Sequence, residues 1–107
     1  MGYQPDLTPV REFRDRLTHD FKVEKMVLFG SRARGDYRAE SDWDLIIISS
    51  DFTGIRFIDR IPRMVHYWDY QKYESFEPLP YTPEEFERKR HEIGIIQEAL
   101  KEGIEIE

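Results

Sequence analysis

The sequence predicts an α/β (mixed α+β) domain, in which helices flank a small mixed sheet of about three core strands. Apolar residues recur at helical spacing near both ends of the chain, and short apolar runs lie between those segments. The run Leu45–Ile48 is apolar at every position, which is typical of a strand buried on both faces of a sheet. With 107 residues, the chain is predicted to form one domain, residues 1–107.

The first half of the chain predicts a helix followed by two strands. The helix covers residues 8–19, because Pro9 suits the first helical position and apolar residues follow at helical spacing. Residues 24–29 are short, apolar and closed by Gly30, as in a strand that ends at a tight turn. Residues 43–49 predict the second strand.

The second half predicts a helix, a strand and a long final helix. Residues 55–73 have a helical pattern, which Pro62 is expected to break or restart. Residues 75–81 predict a third strand, and two prolines within it restrict it to an edge or a short piece. Thr82 caps the last helix in a capping box, and Gly103 ends it.

The composition limits the classes of function. A net charge of −6 argues against general binding of nucleic acid, which requires a basic surface. The absence of cysteine excludes disulfides, thiolate nucleophiles and zinc–thiolate sites. No apolar run is long enough to span a membrane, and the first residues lack the pattern of a signal peptide, so we expect a cytoplasmic protein. The composition leaves the oligomeric state open, a homo-oligomer included.

A Gly-Ser turn directly after the first predicted strand is a candidate anion site. Gly30 allows a sharp turn, and amide groups at the start of a following helix, together with the Ser31 hydroxyl, can bind phosphate. The alternative is an ordinary strand-to-helix turn with a serine cap. Gly30 and Gly35 have P-loop spacing, but Asp36 and Tyr37 stand where a P-loop has Lys and Ser or Thr, so that motif is excluded.

Three arginines follow the turn at positions 32, 34 and 38. Guanidinium groups suit bidentate contacts with phosphate oxygens, so Arg32 and Arg34 are candidate nucleotide-binding residues. The alternative is a solvated surface segment in which the arginines pair with Asp36 and Glu40.

Two aspartates, Asp42 and Asp44, mark the start of the second strand. Residues two apart in a strand point to the same face, so their carboxylates are close and repel each other, while Trp43 points to the other face. A magnesium ion relieves this repulsion, because it prefers carboxylate oxygens and leaves positions for water and phosphate. The alternative is a strand start with merely solvated aspartates.

At these residues the sequence resembles the minimal nucleotidyltransferases of the DNA polymerase β-like superfamily. The resemblance lies in Gly30-Ser31-Arg32-Ala33-Arg34-Gly35 and, after a short spacer, in Ser41-Asp42-Trp43-Asp44-Leu45. It implies the nucleotidyltransferase fold, magnesium held by Asp42 and Asp44, and the phosphates of the nucleotide, ATP foremost, held by Gly30 and Ser31. It also implies in-line attack of an acceptor hydroxyl on the α-phosphorus, with pyrophosphate leaving.

The family draws a third carboxylate from the third core strand, and this chain offers two candidates, Glu77 and Asp69. We favour Glu77 as the third catalytic and metal-binding residue, because it lies on the predicted strand just before the last helix. Glutamate beside Pro78 is a departure from the usual aspartate of the family.

The resemblance implies a function as well. We expect transfer of a nucleoside monophosphate, AMP from ATP in the first place, to a hydroxyl, with a tyrosine of a HEPN-type toxin as the acceptor and an antitoxin role for this chain. The alternative is a partner-binding module that masks such a toxin without nucleotide transfer. A transferase acting on nucleic acid is disfavoured by the acidic composition.

Overall fold

The computed structural model describes residues 2–107, which contain four strands and five α-helices joined by loops and 3₁₀ turns. The strands are β1 (Lys25–Phe29), β2 (Trp43–Ile48), β3 (Phe76–Tyr81) and β4 (Ile104–Glu105). The helices are α1 (Thr8–Leu17), α2 (Ser31–Arg34), α3 (Phe57–Arg60), α4 (Pro83–Lys89) and α5 (Ile95–Glu102). None of these helices has the length and apolar character needed to cross a lipid bilayer.

The strands form one mixed sheet in the order β3-β2-β1-β4. Strand β1 pairs antiparallel with β2 and with β4, whereas β2 and β3 are parallel. The predicted mixed α/β fold is thereby confirmed, and β4 is a short strand beyond the three that the sequence indicates. Strand β3 lies at an edge, as its prolines predict, because an edge strand tolerates the missing amide hydrogens.

The two faces of the sheet carry separate cores. On one face, Phe13 and its neighbours in α1 pack against Leu45, Ile47 and other residues of the strands. On the opposite face, α5 packs through Ile96 and Ala99 against a second set, whose strand members are Val27, Phe29, Ile46, Ile48 and Tyr81. Strand β2 is thus buried on both sides. Side chains alternate along a strand, so Asp44 shares the α5 face with Ile46.

The predicted helix over residues 55–73 is wrong for most of its length. Only α3 is α-helical there, and it is followed by 3₁₀ turns at Ile61–Arg63 and Val65–Tyr67. Pro62 explains the interruption, because it lacks an amide hydrogen and its ring obstructs the preceding turn of an α-helix.

The predicted last helix is two helices. Helix α4 begins with the predicted capping box, in which Thr82 and Glu85 bond each other's backbone amides. The chain then breaks at Gly94, whose φ of 155° is available to glycine, and α5 begins at Ile95. The break turns α5 onto β1, and it leaves Ile93, just before Gly94, 96% exposed.

Candidate active site

Strand pairing brings acidic side chains of β2 and β3 together. In the parallel β2–β3 ladder, Asp44 is directly opposite Glu77, and both side chains lie on the face covered by α5. The same register continues one step before β2, where the Ser75 hydroxyl donates a hydrogen bond of 2.5 Å to Asp42 Oδ1. Asp42, Asp44 and Glu77 therefore converge at one end of the sheet.

The Gly-Ser turn lies against this acidic group. Phe29, the last residue of β1, is paired with Asp44, so Gly30 follows directly beside that carboxylate. Gly30 has φ 76° and ψ −157°, and a Cβ atom on it would overlap Asp44 Oδ2. The turn and the acid pair of the sequence prediction thus form one structural unit.

Helix α2 begins directly after this turn with Ser31 and lasts a single turn. The amides of Ala33 and Arg34 already bond the carbonyl oxygen of Gly30. The amides of the first residues of a helix have no acceptor within the helix, so those of Ser31 and Arg32 are available to an external anion. Ser31 is itself half-buried at the start of α2.

The environment raises the pKa of Asp44. Partial burial is the main cause, because the charged form loses contact with water, and the nearby charge of Asp42 adds to the effect. A hydrogen bond with Glu77 and the positive charge of Arg34 act in the opposite direction. Asp44 therefore lies in an electrostatic environment that is unfavourable for its charged form when only the protein is present.

The pKa of Glu77 is raised as well. Its first cause is a hydrogen bond with Asp42, followed by burial and by the negative charges of Asp44 and Asp42. The mutual repulsion that the sequence predicts for the two aspartates extends to this third carboxyl group. Nothing in the sequence pattern singled out Ser75, although its position two residues before Glu77 places it on the same face of the strand.

The chemistry of these donors fits a hard divalent cation. Magnesium takes carboxylate oxygens and relieves the repulsion between neighbouring carboxylates, which is the dominant feature of the Asp42, Asp44 and Glu77 group. Within residues 2–107, no three Asp, Glu or His side chains are already arranged around one point as metal ligands. Asp42 instead accepts a hydrogen bond from the Ser75 hydroxyl, and the neighbouring carboxyl groups of Asp42 and Asp44 raise the pKa of Glu77.

Arg32 is placed away from the acidic group. Its guanidinium stacks on the rings of Tyr37 and Trp43, 4.5 and 4.4 Å from their centroids. Trp43 projects to the α1 face of the sheet, opposite to Asp44. Three contacts connect the guanidinium to backbone carbonyl oxygens, two to Ser41 at 2.8 and 3.2 Å and one to Ala39 at 3.3 Å. The sequence interpretation of Arg32 as a phosphate ligand does not account for these contacts.

Arg34 lies on the acidic side of the turn. Its positive charge reaches Asp44, where it lowers the pKa of that carboxyl group. The Arg34 side chain is exposed and donates to Glu102 at 2.9 Å and to Asp36 at 3.3 Å. Those two carboxylates raise the pKa of the guanidinium, and they are surface partners that an incoming phosphate can replace.

Asp69, the other candidate for the third carboxylate, is in a turn. Its Oδ1 accepts the backbone amides of Gln71 and Lys72 at 3.1 and 3.2 Å, which is a local turn arrangement. The structure therefore brings Glu77, and not Asp69, next to Asp42 and Asp44.

A cleft of about 390 Å³ opens beside the carboxylates. Its lining residues are Phe29, Asp44, Ile61, Phe76, Glu77, Pro78, Leu79 and Ile95. Most of this surface is apolar, with the two carboxyl groups at one side, as in sites that bind the organic part of a ligand next to a charged centre. The sequence did not indicate this cleft, because Ile61 and Ile95 reach it only through the breaks in the two predicted helices.

Comparison with known proteins gives a family and a fold. The family described as "Nucleotidyltransferase domain" matches residues 10–105. A crystal structure from Sulfolobus solfataricus, titled as a putative nucleotidyltransferase, superposes with a TM-score of 0.65 over 92% of this chain and 77% of that one, at 21% identity. This likeness shows the nucleotidyltransferase fold.

Two curated relatives come from Methanocaldococcus jannaschii, and each is named "Putative protein adenylyltransferase". One is 44% identical over 41 residues, which are 36% of this chain and 41% of the relative. The other is 25% identical over 99 residues, which are 91% of this chain and 94% of the relative. The chain thus spans less than half of the first relative and nearly all of the second.

Proposed function

Because the chain belongs to the nucleotidyltransferase domain family, we propose that it is a metal-dependent enzyme that transfers a nucleoside monophosphate, AMP from ATP in the first place, to a hydroxyl acceptor. The observation that carries the proposal is the contact between the Gly30 turn and the Asp44 carboxylate. This contact supports the proposal, because nucleotidyl transfer requires a turn that binds phosphate and acidic residues that bind metal at one point.

Each group has a distinct role in this proposal. Gly30 and Ser31 bind phosphate oxygens of the triphosphate, and Arg34 exchanges its surface carboxylates for a phosphate. Asp42, Asp44 and Glu77 would hold magnesium, which supplies charge neutralisation of the phosphates. The apolar wall of the cleft binds the organic part of a substrate.

In the transfer step, one phosphorus–oxygen bond replaces another. The acceptor oxygen forms a bond to the α-phosphorus, and the bond between that phosphorus and the oxygen bridging to the β-phosphate breaks. Pyrophosphate leaves with the electron pair of the broken bond. The proton of the acceptor hydroxyl passes to water, because the site is open to solvent where Glu77 is exposed.

The proposed acceptor is a protein. More specifically, it is a tyrosine of a HEPN-type toxin, and this chain is the antitoxin for that toxin. The names of both curated relatives support a protein acceptor. The surface supports it too: Ile95, which lines the cleft, is 59% exposed, and Ile93 beside it is almost fully exposed. Exposed apolar residues at the edge of a site are typical of surfaces that contact another protein.

The test is transfer of label from ATP labelled at the α-phosphate, with magnesium and the protein encoded by the neighbouring gene. We expect label on the partner, and we expect its loss in Asp42→Asn and Asp44→Asn. Asp15→Asn is the matched control, because Asp15 is an exposed carboxylate on α1, on the face of the molecule opposite the site. Label that persists in both site variants would contradict the proposal.

A second candidate function is masking of the partner without catalysis. The observation that favours it is Glu77 in place of the usual family aspartate, together with the exposed Ile93. In that case Asp42→Asn and Asp44→Asn neutralise the partner as strongly as the wild type does, and neither the variants nor the wild type transfer label. Ile93→Ser then weakens binding of the partner.

A further inference from the structure

Arg32 is a buried cation with an unusual set of neighbours. Only 8% of the residue is exposed, and among the residues that the structure describes no carboxylate lies within 4.0 Å of its guanidinium. Burial of a charge is costly unless other interactions compensate it. Here the compensation comes from two aromatic rings and two carbonyl oxygens, all of which belong to the segment 37–43.

These contacts involve the residues directly before and directly after Asp42 in the sequence. The guanidinium binds the carbonyl oxygen of Ser41, the residue before Asp42, with two of its nitrogens at 2.8 and 3.2 Å. It also stacks on the indole of Trp43, the residue after Asp42, at 4.4 Å. A single side chain, that of the residue after Ser31, therefore holds the backbone carbonyl just before Asp42 and the indole ring just after it.

We propose that Arg32 is a positioning residue, which locks the loop before β2 so that the Asp42 carboxylate keeps a fixed position relative to the Gly30-Ser31 turn. The inference rests on the proposed function for its catalytic consequence, but the locking of the loop is a property of the protein alone. It differs from the sequence interpretation, in which Arg32 contacts phosphate. In its place Arg34, on the acidic side of the turn, is the arginine that contacts the nucleotide.

Lysine cannot perform this role. A guanidinium is planar, stacks on aromatic rings and donates in several directions at once, whereas an ammonium is a compact, strongly hydrated point charge. Arg32→Lys keeps the charge and removes the stacking and the two-nitrogen contact with Ser41. A residue that serves only as a source of positive charge would tolerate this change.

The test compares Arg32→Lys and Arg32→Met with Arg38→Met, which removes an exposed arginine from the same loop. Hydrogen exchange of the amides of residues 39–43, binding of Mn²⁺ measured by EPR, and kcat and KM for ATP are recorded for each variant, with the thermal midpoint as a check of folding. In Arg32→Lys we expect exchange in that segment to increase about tenfold or more and Mn²⁺ affinity to fall about tenfold. We expect kcat to fall by a similar factor, with KM for ATP changed less than about threefold.

Other outcomes overturn the inference. A large rise in KM for ATP with unchanged exchange of residues 39–43 would show that Arg32 binds the nucleotide. A lower thermal midpoint with unchanged Mn²⁺ affinity and kcat would show that it only stabilises the fold. If the wild type transfers no nucleotide, the proposed function fails by itself, and hydrogen exchange and Mn²⁺ binding still decide the role of Arg32. If Arg32→Met does not fold, the comparison of Arg32→Lys with Arg38→Met still tests the inference.

Discussion

The carboxylate of Asp44 lies against the Cα atom of Gly30, in the space that a Cβ atom would occupy. Two residues 14 positions apart are thereby joined by the antiparallel pairing of β1 and β2, which sets Phe29 opposite Asp44. Glycine is required at position 30 for two reasons, its φ of 76° and the closeness of this carboxylate. The relationship gives the candidate site its shape.

Gly30→Ala is predicted to lower both stability and activity. The alanine methyl group must displace the Asp44 side chain, in addition to a backbone cost of about 1–3 kcal/mol for a non-glycine residue at this φ. Gly54→Ala is the control, because Gly54 has a similar φ of 81° and nothing within 4 Å of an added Cβ atom. Chemical denaturation and the transfer assay measure the difference.

A double variant separates the two contributions. In an Asp44→Ala background, Gly30→Ala should cost less free energy of unfolding than in the wild type, because the overlapping carboxylate is absent. Equal costs in both backgrounds, or equal losses of stability in Gly30→Ala and Gly54→Ala, would mean that Gly30 and Asp44 do not interact as described.

Magnesium is predicted to stabilise the protein through the acid group. At a magnesium concentration of 100 times its Kd, binding to the native state adds about 2.7 kcal/mol to the free energy of unfolding, which raises the thermal midpoint. The variant with both Asp42→Asn and Asp44→Asn should show no such rise, whereas Asp15→Asn should respond like the wild type. Scanning calorimetry with and without Mg²⁺ measures this, and an equal rise in the double variant would place the cation elsewhere.

Arg34 is predicted to affect binding of the nucleotide. Arg34→Ala should raise KM for ATP about tenfold, because it removes a charge-assisted hydrogen bond to phosphate from the acidic side of the turn. Glu102→Gln should lower KM for ATP, since it removes the carboxylate that lies 2.9 Å from the Arg34 guanidinium and competes there with phosphate. Steady-state kinetics at several ATP concentrations test both. No change in KM for either variant would remove Arg34 from the nucleotide site.

The Arg60–Glu85 pair is predicted to control stability in acid. Arg60 is buried and bonds Glu85 through two nitrogens at 2.5 and 3.1 Å, which lowers the pKa of Glu85 to about 2. A carboxyl group with a lowered pKa stabilises the fold fully above its ordinary pKa of 4.5 and loses this contribution as the pH falls towards 2. The wild type should therefore lose stability between those pH values.

Glu85→Gln tests this contribution. Glutamine can keep the capping box, so the variant removes mainly the charge, and we expect a loss of about 2 kcal/mol at pH 7. The difference from the wild type should shrink as the pH falls from 4.5 to 2. Glu84→Gln, at the same helix start, is the control and should leave the pH profile unchanged. A constant difference between wild type and Glu85→Gln across this range would contradict the prediction.

Local pattern in the sequence determined the parts of the site that depend on neighbours along the chain. The turn at Gly30-Ser31 follows from a strand that ends in glycine, and the shared face of Asp42 and Asp44 follows from the two-residue repeat of a strand. The position of Trp43 on the other face follows from the same repeat. The mixed α/β fold and the edge position of β3 were predictable for similar reasons.

Only the tertiary structure decided which distant residues join those parts. The pairing of β2 with β3 selects Glu77 over Asp69, and the folding of the loop onto Trp43 directs Arg32 away from the acid group. The break at Gly94 likewise overrides a helical pattern, because it lets Ile96 and Ala99 of α5 pack into the second core on the sheet. Periodicity records which face a residue occupies, whereas the partner on that face depends on contacts between segments far apart in the chain.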